Sequence, residues 1–277
     1  MRRRTTWLLL GPCLVWLAVL FVVPLLIIVV VSFLGKGSPI EWRMDGSAYA
    51  RLFNPVYWGI LMRSIEVGLV TTVSCLILGF PLAYFLVRQP PRRRQFLYVL
   101  VLIPMAANSL VLIYAWITLL RPTGLLEQFL VFLGLHESGP LGILYTPAAV
   151  AIGLLYWYLP FRVYPLYNSL ERFDFRLLEA SADLGAGGLQ TFFRVLLPQV
   201  VPGLATGCLL VFVQAFCSFV VPDLLGGAKT LMAGNLIQQR FLSLPQDWPL
   251  GSALALLIMV ILGLTVYVGL RNQREGA

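Results

Sequence analysis

The residues with the most reactive side chains are few in this sequence and lie far apart. The single histidine, His136, falls in a link, and the four cysteines Cys13, Cys75, Cys208 and Cys217 each fall inside an apolar run. The cysteines show no metal-ligand spacing, and a thiol in such a run most often acts as a small hydrophobic side chain. We therefore expect no catalytic residues, no metal site and no cofactor.

One short segment has part of the pattern of a nucleotide-binding loop. The segment LLGGAKT at 224–230 ends in the Lys-Thr pair that such loops use to hold phosphates. However, Ala228 stands where that loop requires a glycine, and Asp223 occupies the position of the earlier glycine. The segment is therefore not predicted to bind a nucleotide, and the chain is not expected to be an enzyme.

The elements that position these residues are apolar and long. Hydrophobic residues make up 59% of the 277 positions and charged residues only 12%, whereas soluble domains have about 25% charged residues. Six stretches lack Asp, Glu, Lys and Arg: 5–35, 67–87, 95–120, 138–161, 195–222 and 248–270. Because about 20 apolar residues cross a bilayer as a helix, the pattern predicts an all-α polytopic membrane protein with six transmembrane helices.

The first of these stretches could be taken for a cleaved signal peptide, because Arg2, Arg3 and Arg4 precede it. An apolar signal region has about 7–15 residues, whereas this one continues to Lys36. We therefore interpret it as a retained span.

Of the 20 Lys and Arg residues, thirteen lie on the side that holds both termini, so both termini are predicted to be cytoplasmic. The basic balance reflects this topology, and we expect no nucleic-acid partner.

The longest link on the cytoplasmic side contains the segment EASADLGAGGLQTFFRVLLP at 179–198. Leu177, Ala180, Ser181 and Leu184 have the spacing of one face of an amphipathic helix. Gly185 is predicted to end that helix. A second short helical pattern follows and is predicted to stop at Pro198. Neither piece could cross a bilayer, so the link is predicted to lie at the surface, either against a protein partner or on lipid headgroups.

The same link resembles the EAA loop of permease subunits of binding-protein-dependent ABC importers. The match consists of Glu179-Ala180-Ser181, then Gly185, then nine residues and Val195-Leu196-Leu197-Pro198, with Ser181 in place of Ala and Val195 in place of Ile. The resemblance implies a type I ABC importer transmembrane domain. It also implies that the link 171–198 seats in a groove on a separate ATP-hydrolysing subunit. The coupling residues it indicates are Glu179, Ala180, Ser181, Asp183, Gly185, Leu197 and Pro198.

The resemblance extends beyond the link and narrows the class of solute that the chain is expected to import. The segments NSLVLIYAW (108–116), PDLLGGAKTLMAGNLIQQRF (222–241) and DWPLGSA (247–253) are similar to spermidine/putrescine permeases. The resemblance therefore implies import of polyamines, although neighbouring branches that import other solutes share the loop and the span count. It further implies a second homologous permease, an ATP-binding subunit dimer, an extracytoplasmic solute-binding protein and a location in the bacterial inner membrane among lipids.

A polycation that crosses the membrane needs carboxylates, amide or hydroxyl oxygens, or aromatic faces along its path. The candidates are Asp223, Glu66, Asn108, Tyr114 and Gln214. The two acids could equally be interfacial or capping groups, and the other three could instead form hydrogen bonds between helices. The aromatic run 156–158 points three ways around its helix, so at most two of its rings can line a path.

Three further expectations concern the whole chain. Residues 1–277 are predicted to form a single integral membrane domain, with a core permease region at 60–270. Arg162, near the inner end of the fourth span, is interpreted as a side chain that snorkels to the headgroups. The alternative to a transport subunit is an autonomous ion-coupled carrier or intramembrane enzyme. It would need inverted repeats, mid-span ionisable residues or a nucleophile, and these are not evident in the sequence.

Overall fold

The computed structural model describes residues 2–37, 40–134, 142–227 and 230–275. Within it the chain forms two compact units, Met1–Gly59 with Leu236–Gly263 and Ile60–Asn235 with Leu264–Ala277. His136, Ala228 and the side chain of Cys13 lie outside the described residues. The prediction of one integral membrane domain is not tested by this division and stays a prediction.

Helices account for most of the described chain. In order they are α1 (Arg2–Ser32), α2 (Ser47–Leu52), α3 (Pro55–Val87), α4 (Pro91–Ala106), α5 (Ser109–Leu120), α6 (Leu125–Phe132), α7 (Pro147–Glu171), α8 (Arg176–Asp183), α9 (Gly188–Thr191), α10 (Leu197–Cys217), α11 (Val220–Gly226), α12 (Ala233–Leu242) and α13 (Trp248–Glu275). A π-helical turn, Phe192–Leu196, joins α9 to α10. Two short strands, β1 (Leu34–Lys36) and β2 (Ile40–Met44), form an antiparallel hairpin.

Among the described residues, five helical stretches are long and apolar enough to cross a membrane, or six if one bent pair is counted as a single span. The five are Leu10–Ser32, Pro55–Val87, Pro147–Glu171, Gly188–Cys217 and Trp248–Gly269. The bent pair is α4 and α5, whose axes differ by 94°. The apolar run 95–120 is therefore not one straight helix. The break follows Pro104 within α4 and is stabilised by Asn108, whose side chain accepts from the Leu110 amide at 2.9 Å.

The unit of Met1–Gly59 and Leu236–Gly263 contains the hairpin and a partly buried ion pair. The hairpin follows α1 directly, and the Asp45 amide bonds to the Phe33 carbonyl at 2.8 Å. Arg51 on α2 forms a salt bridge with the buried carboxylate of Asp247. Asp247 also caps α13, because it accepts from the Leu250 amide at 3.2 Å. This carboxylate therefore neutralises a cation and satisfies a helix terminus at the same time.

The unit of Ile60–Asn235 and Leu264–Ala277 has two clusters of buried apolar side chains along α7 and α10. One cluster joins these helices to α3, α5 and α11, and includes Cys75, Leu154, Val211 and Leu225. The other cluster joins them to α3 near its C-terminal end, and includes Leu86, Leu166, Leu196 and Val200. The first cluster surrounds the break after α10. The second supports the link between α7 and α10.

Candidate functional site

The link between α7 and α10 folds as its residues predict as far as Gly185. α8 ends at Asp183, and Gly185 has a φ of +82°, in the left-handed region that favours glycine. The Gly185 amide bonds to the Ala182 carbonyl at 2.9 Å, and the Ala186 amide bonds to the Ser181 carbonyl at 3.1 Å. These two bonds form a Schellman motif, which satisfies carbonyls that the helix end would leave free. The predicted helix break at Gly185 is confirmed.

The prediction that Pro198 stops the second helix is wrong. Helical structure continues from Gly188 to Cys217 without interruption, a length of 30 residues. Pro198 lies in the first turn of α10, directly after the π-helical turn Phe192–Leu196. A π turn is wider than an α turn, and proline is tolerated in a first helical turn because its missing N–H is not needed there. From Gly188 onward, the link therefore continues into α10 as one uninterrupted helical segment.

Side-chain contacts fasten the link to the membrane helices. The Ser181 hydroxyl lies 2.9 Å from the Thr191 hydroxyl, so α8 is bonded to α9. The Phe192 ring packs edge-on against Phe80 of α3 with centroids 5.4 Å apart. The guanidinium of Arg88, just past the end of α3, lies 5.3 Å from the centroid of Phe175. The link is therefore held to α3 at both of its ends.

The opposite face of the link is exposed. Glu179, Ala180 and Asp183 are exposed, and the side chains of Leu184 and Leu189 are 89% and 78% exposed. The link thus exposes two acids and two apolar side chains that the described chain does not cover. Beneath α8 is an open cavity of about 450 Å³, lined by Phe80, Tyr84, Leu178, Ala182, Ala186, Gly188, Thr191, Phe192 and Leu196. The link therefore has an apolar hollow on its inner side and an exposed mixed surface on its outer side.

The five candidate path residues are not brought together. Glu66 on α3 and Asp223 on α11 are exposed, and Tyr114 on α5 is 57% exposed. Asn108 is exposed and caps α5, which is the role of a helix-terminal residue. Gln214 alone of the five lines a described cavity. Their roles in a path stay predictions.

The cavity beside Gln214 measures about 350 Å³ and lies where α10 ends and where α5 begins after its bend from α4. Ser109 begins α5 after the bend, and Cys217 ends α10. Of the aromatic run 156–158, two rings line the cavity, while Tyr156 packs against Trp116 with centroids 5.5 Å apart. The complete lining is Ser109, Ile113, Trp157, Tyr158, Gln214, Cys217, Ser218, Phe219, Val220 and Val221.

The interpretation of Arg162 as a snorkelling side chain is wrong. Arg162 is 0% exposed and lies between α7 and α10. Its guanidinium donates to the Leu204 carbonyl and to the Cys208 sulfur, the latter at 3.2 Å. Its Nε and Nη2 atoms have no hydrogen-bond partner among the described residues. The side chain cannot reach the headgroups because α10 packs over it.

Two glycines make room for this buried guanidinium, and they are the signal that sequence reasoning missed. A Cβ atom at Gly79 of α3 would lie 3.0 Å from Arg162 Cγ. A Cβ atom at Gly207 of α10 would lie 2.9 Å from Arg162 Nη1. Small residues in membrane helices mark close helix approach. Neither glycine is near Arg162 in sequence, so their shared role is visible only after the helices pack.

Within the described ranges, no group of three His, Cys, Asp or Glu side chains is arranged to hold a metal ion. The link offers exposed acids and leucines as surface contacts. The chemistry available at the cavity is binding through hydroxyls, one amide and aromatic faces.

Comparisons with known proteins agree along most of the chain. A family model described as the binding-protein-dependent transport system inner membrane component matches residues 75–273. The spermidine/putrescine transport system permease protein PotB of Escherichia coli (strain K12) is 42% identical over 261 residues, which are 94% of this chain and 94% of that protein. The Haemophilus influenzae protein of the same description is 41% identical over 261 residues, which are 94% of this chain and 91% of that protein.

A solved structure shares the fold at low sequence identity. It is a bacterial alginate ABC transporter in complex with an alginate pentasaccharide-bound periplasmic protein, and it superposes with a TM-score of 0.76 at 16% identity. The alignment covers 99% of this chain and 95% of the other. The predicted fold class, an all-helical ABC importer transmembrane domain of type I, is confirmed.

Proposed function

This chain belongs to the family of binding-protein-dependent transport system inner membrane components, and on that premise we propose that it is a permease subunit through which polyamines are imported. The observation that carries the choice of solute is the 42% identity to a spermidine/putrescine permease along 94% of both chains. A shared fold at 16% identity, as with the alginate transporter, carries no such information.

We infer that ATP hydrolysis on a separate subunit reaches this chain through the link 171–198. In this proposal Glu179, Ala180, Ser181, Asp183, Gly185, Leu197 and Pro198 are the coupling residues. The exposed Leu184 and Leu189 supply apolar anchors, and the two acids beside them supply polar contacts at the edge of the interface. The Schellman turn at Gly185 gives this surface a defined shape before any partner binds.

The route for motion follows from the hydrogen bond and from the continuous helix. A force applied to α8 is transmitted to α9 through the Ser181–Thr191 hydrogen bond. From α9 it passes through the π-helical turn into α10, because no break separates Gly188 from Cys217. The far end of α10 borders the cavity beside Gln214. Displacement of the link would therefore move one wall of that cavity.

The orientation and the partners complete the proposal. We propose that both termini and the link 171–198 are cytoplasmic, and that Asp223 and Glu66 face the outside, where they meet the cation. A second homologous permease, an ATP-binding subunit dimer and an extracytoplasmic solute-binding protein would complete the transporter in the lipid bilayer.

Single cysteines at Leu184 and Asp223, both exposed in the structure, would test the orientation. They should react with an impermeant thiol reagent from opposite sides, because one span separates them.

The experiment that tests the function is uptake by the assembled transporter. The chain is purified with its partner subunits, reconstituted into liposomes with ATP inside, and supplied with solute-binding protein and radiolabelled spermidine or putrescine. ATP-dependent accumulation of either polyamine is expected. Uptake of another solute, with none of either polyamine, would keep the family and reject the polyamine assignment.

A further inference from the structure

Most residues of the cavity beside Gln214 are less exposed than Asp223 and Glu66, the two acids that the sequence suggested for the path. Asp223 and Glu66 are exposed in this chain, and neither lines the cavity. The cavity, by contrast, places half-buried Gln214 and Trp157 beside buried Tyr158 and Ser218. At about 350 Å³ it lies at the small end of the range for small-molecule sites, about 300–1,000 Å³.

Its lining suits a cation without supplying a full negative charge. Among the described residues that line it, none is Asp, Glu, Lys or Arg. The rings of Trp157 and Tyr158 offer negative faces to an ammonium group. The Gln214 amide oxygen and the Ser218 hydroxyl can accept from its N–H groups. A bound cation could therefore be stabilised by several moderate contacts and still be released.

The C-terminal end of α10 lies at the same place. The last four carbonyls of a helix have no partner within it, and they carry the negative end of the helix dipole. Here the Gln214 carbonyl accepts from the Tyr158 hydroxyl at 3.0 Å, and the Ala215 carbonyl accepts from the Ser218 amide at 3.2 Å. The Phe216 carbonyl follows at the same helix end, whereas the Cys217 carbonyl oxygen packs against Gly234 of α12.

Two helix N-termini also border the cavity and would oppose a cation. Part of their donor capacity is already used: the Leu110 amide of α5 donates to the Asn108 side chain at 2.9 Å. At α11, the Asp223 carboxylate lies in the first turn, where a negative charge offsets the positive helix end. The positive ends are thus partly neutralised, while the C-terminal end of α10 carries the negative end of its helix dipole.

We propose that this cavity binds one primary ammonium group of a linear polyamine, with the adjoining methylene groups against Ile113, Val220 and Val221. The proposal rests on the proposed function, because it gives the position within the permease at which the imported polyamine is held. Gln214 and Ser218 accept hydrogen bonds from the ammonium, and Trp157 and Tyr158 face it. Asp223, two residues beyond the lining residue Val221, attracts the cation before it enters.

The cavity contains its own reporter, because Cys217 is exposed there. In the assembled transporter, the rate at which a small methanethiosulfonate reagent modifies Cys217 is measured with and without putrescine. The Cys217→Ser variant gives the background from the other cysteines. Putrescine is expected to slow modification at least fivefold, whereas an equal concentration of butanol, which has no ammonium group, is expected to leave the rate unchanged.

Variants of Gln214 test the same site by a second measurement. Gln214→Leu is expected to raise the putrescine concentration for half-maximal protection about tenfold, because a hydrogen bond to a charged group is lost. Gln214→Glu should lower that concentration. Gln199→Leu is the matched control, since Gln199 is an exposed glutamine near the opposite end of α10, and it should leave protection unchanged.

The outcomes separate this inference from the proposed function. Polyamine uptake without protection of Cys217 would overturn the site and leave the function standing. Protection without uptake would support an ammonium site and reject polyamine import. If neither is observed, both proposals are wrong. An equal effect of Gln199→Leu would also overturn the site, because the loss would then reflect α10 as a whole.

Discussion

Two groups of glycines in the same unit have opposite surroundings. In the link, a Cβ atom at Gly185, Gly187 or Gly188 would meet no described heavy atom within 4 Å. At the crossing of α7 and α10, a Cβ atom at Gly203 would lie 2.7 Å from the Pro165 carbonyl oxygen and overlap the Ser169 side chain. The link thus uses glycine for backbone freedom, whereas the crossing uses it for space.

The charged residues of these two regions also differ in their exposure. The acids of the link, Glu179 and Asp183, are exposed and available to a partner, whereas Arg162 at the crossing is buried. The link can therefore be changed with less effect on folding than the crossing. We therefore expect substitutions in the link to affect coupling and substitutions at the crossing to affect stability.

The largest effect is expected for Gly203→Ala. The added methyl group would press on a backbone atom of α7, and overpacking of this kind costs about 1–3 kcal/mol of unfolding free energy. The yield of monodisperse protein and its melting temperature in detergent should both fall. Gly187→Ala is the control, because its Cβ meets open space, and it should change stability by less than about 0.5 kcal/mol. Equal losses in the two variants would contradict the comparison.

The second largest effect is expected for Arg162→Met, which should raise the unfolding free energy rather than lower it. Removal of a buried cation with two unpartnered nitrogen atoms should raise the unfolding free energy by about 1–3 kcal/mol, because apolar replacements of buried charges often stabilise. The measurement is the melting temperature in detergent. Arg172→Met at an exposed position serves as the control and should leave it unchanged. A lower melting temperature for Arg162→Met would mean that the bond to the Leu204 carbonyl outweighs the cost of burial.

A smaller effect on stability, but a large one on transport, is expected for Gly185→Val. A residue with a Cβ costs roughly 1–2 kcal/mol in the left-handed region, and a β-branched residue is especially disfavoured there. Reconstituted uptake and pull-down of the ATP-binding subunit should be lost, while the amount of inserted protein stays normal. Gly185→Asn should retain most activity, because Asn tolerates this conformation. Full uptake by Gly185→Val would remove the turn from the coupling proposal.

The smallest effect is expected for the hydrogen bond between Ser181 and Thr191. A double-mutant cycle of Ser181→Ala and Thr191→Val should give a coupling energy of about 0.5–1 kcal/mol in unfolding free energy. Each single variant should also weaken the dependence of uptake on ATP hydrolysis, if this bond transmits motion from α8 to α9. Strictly additive effects on both measurements would show that the bond carries neither stability nor coupling.

Much of the fold could be predicted because its signals are local. The length of each apolar run predicts a span, since the thickness of the bilayer sets the length of a helix. Gly185 predicts the end of α8, because its backbone freedom is a property of that residue. The bend between α4 and α5 was missed because hydropathy measures only composition, and residues 95–120 are apolar throughout. The error at Pro198 arose because the π-helical turn before it could not be read from residue types.

The features of the candidate sites also divide into those that neighbouring residues determine and those that packing determines. The sequence alone determined the number of apolar runs, the break in the link and the exposed acids near it, because each depends on neighbouring residues. Only the tertiary structure decided that Arg162 is buried against Leu204, 42 residues away, and that Gln214 shares a cavity with Ser109 and Trp157. These placements depend on which helix faces pack together, and packing is a property of several distant segments at once. The physical reason is that shape complementarity between helices acts after each helix has formed.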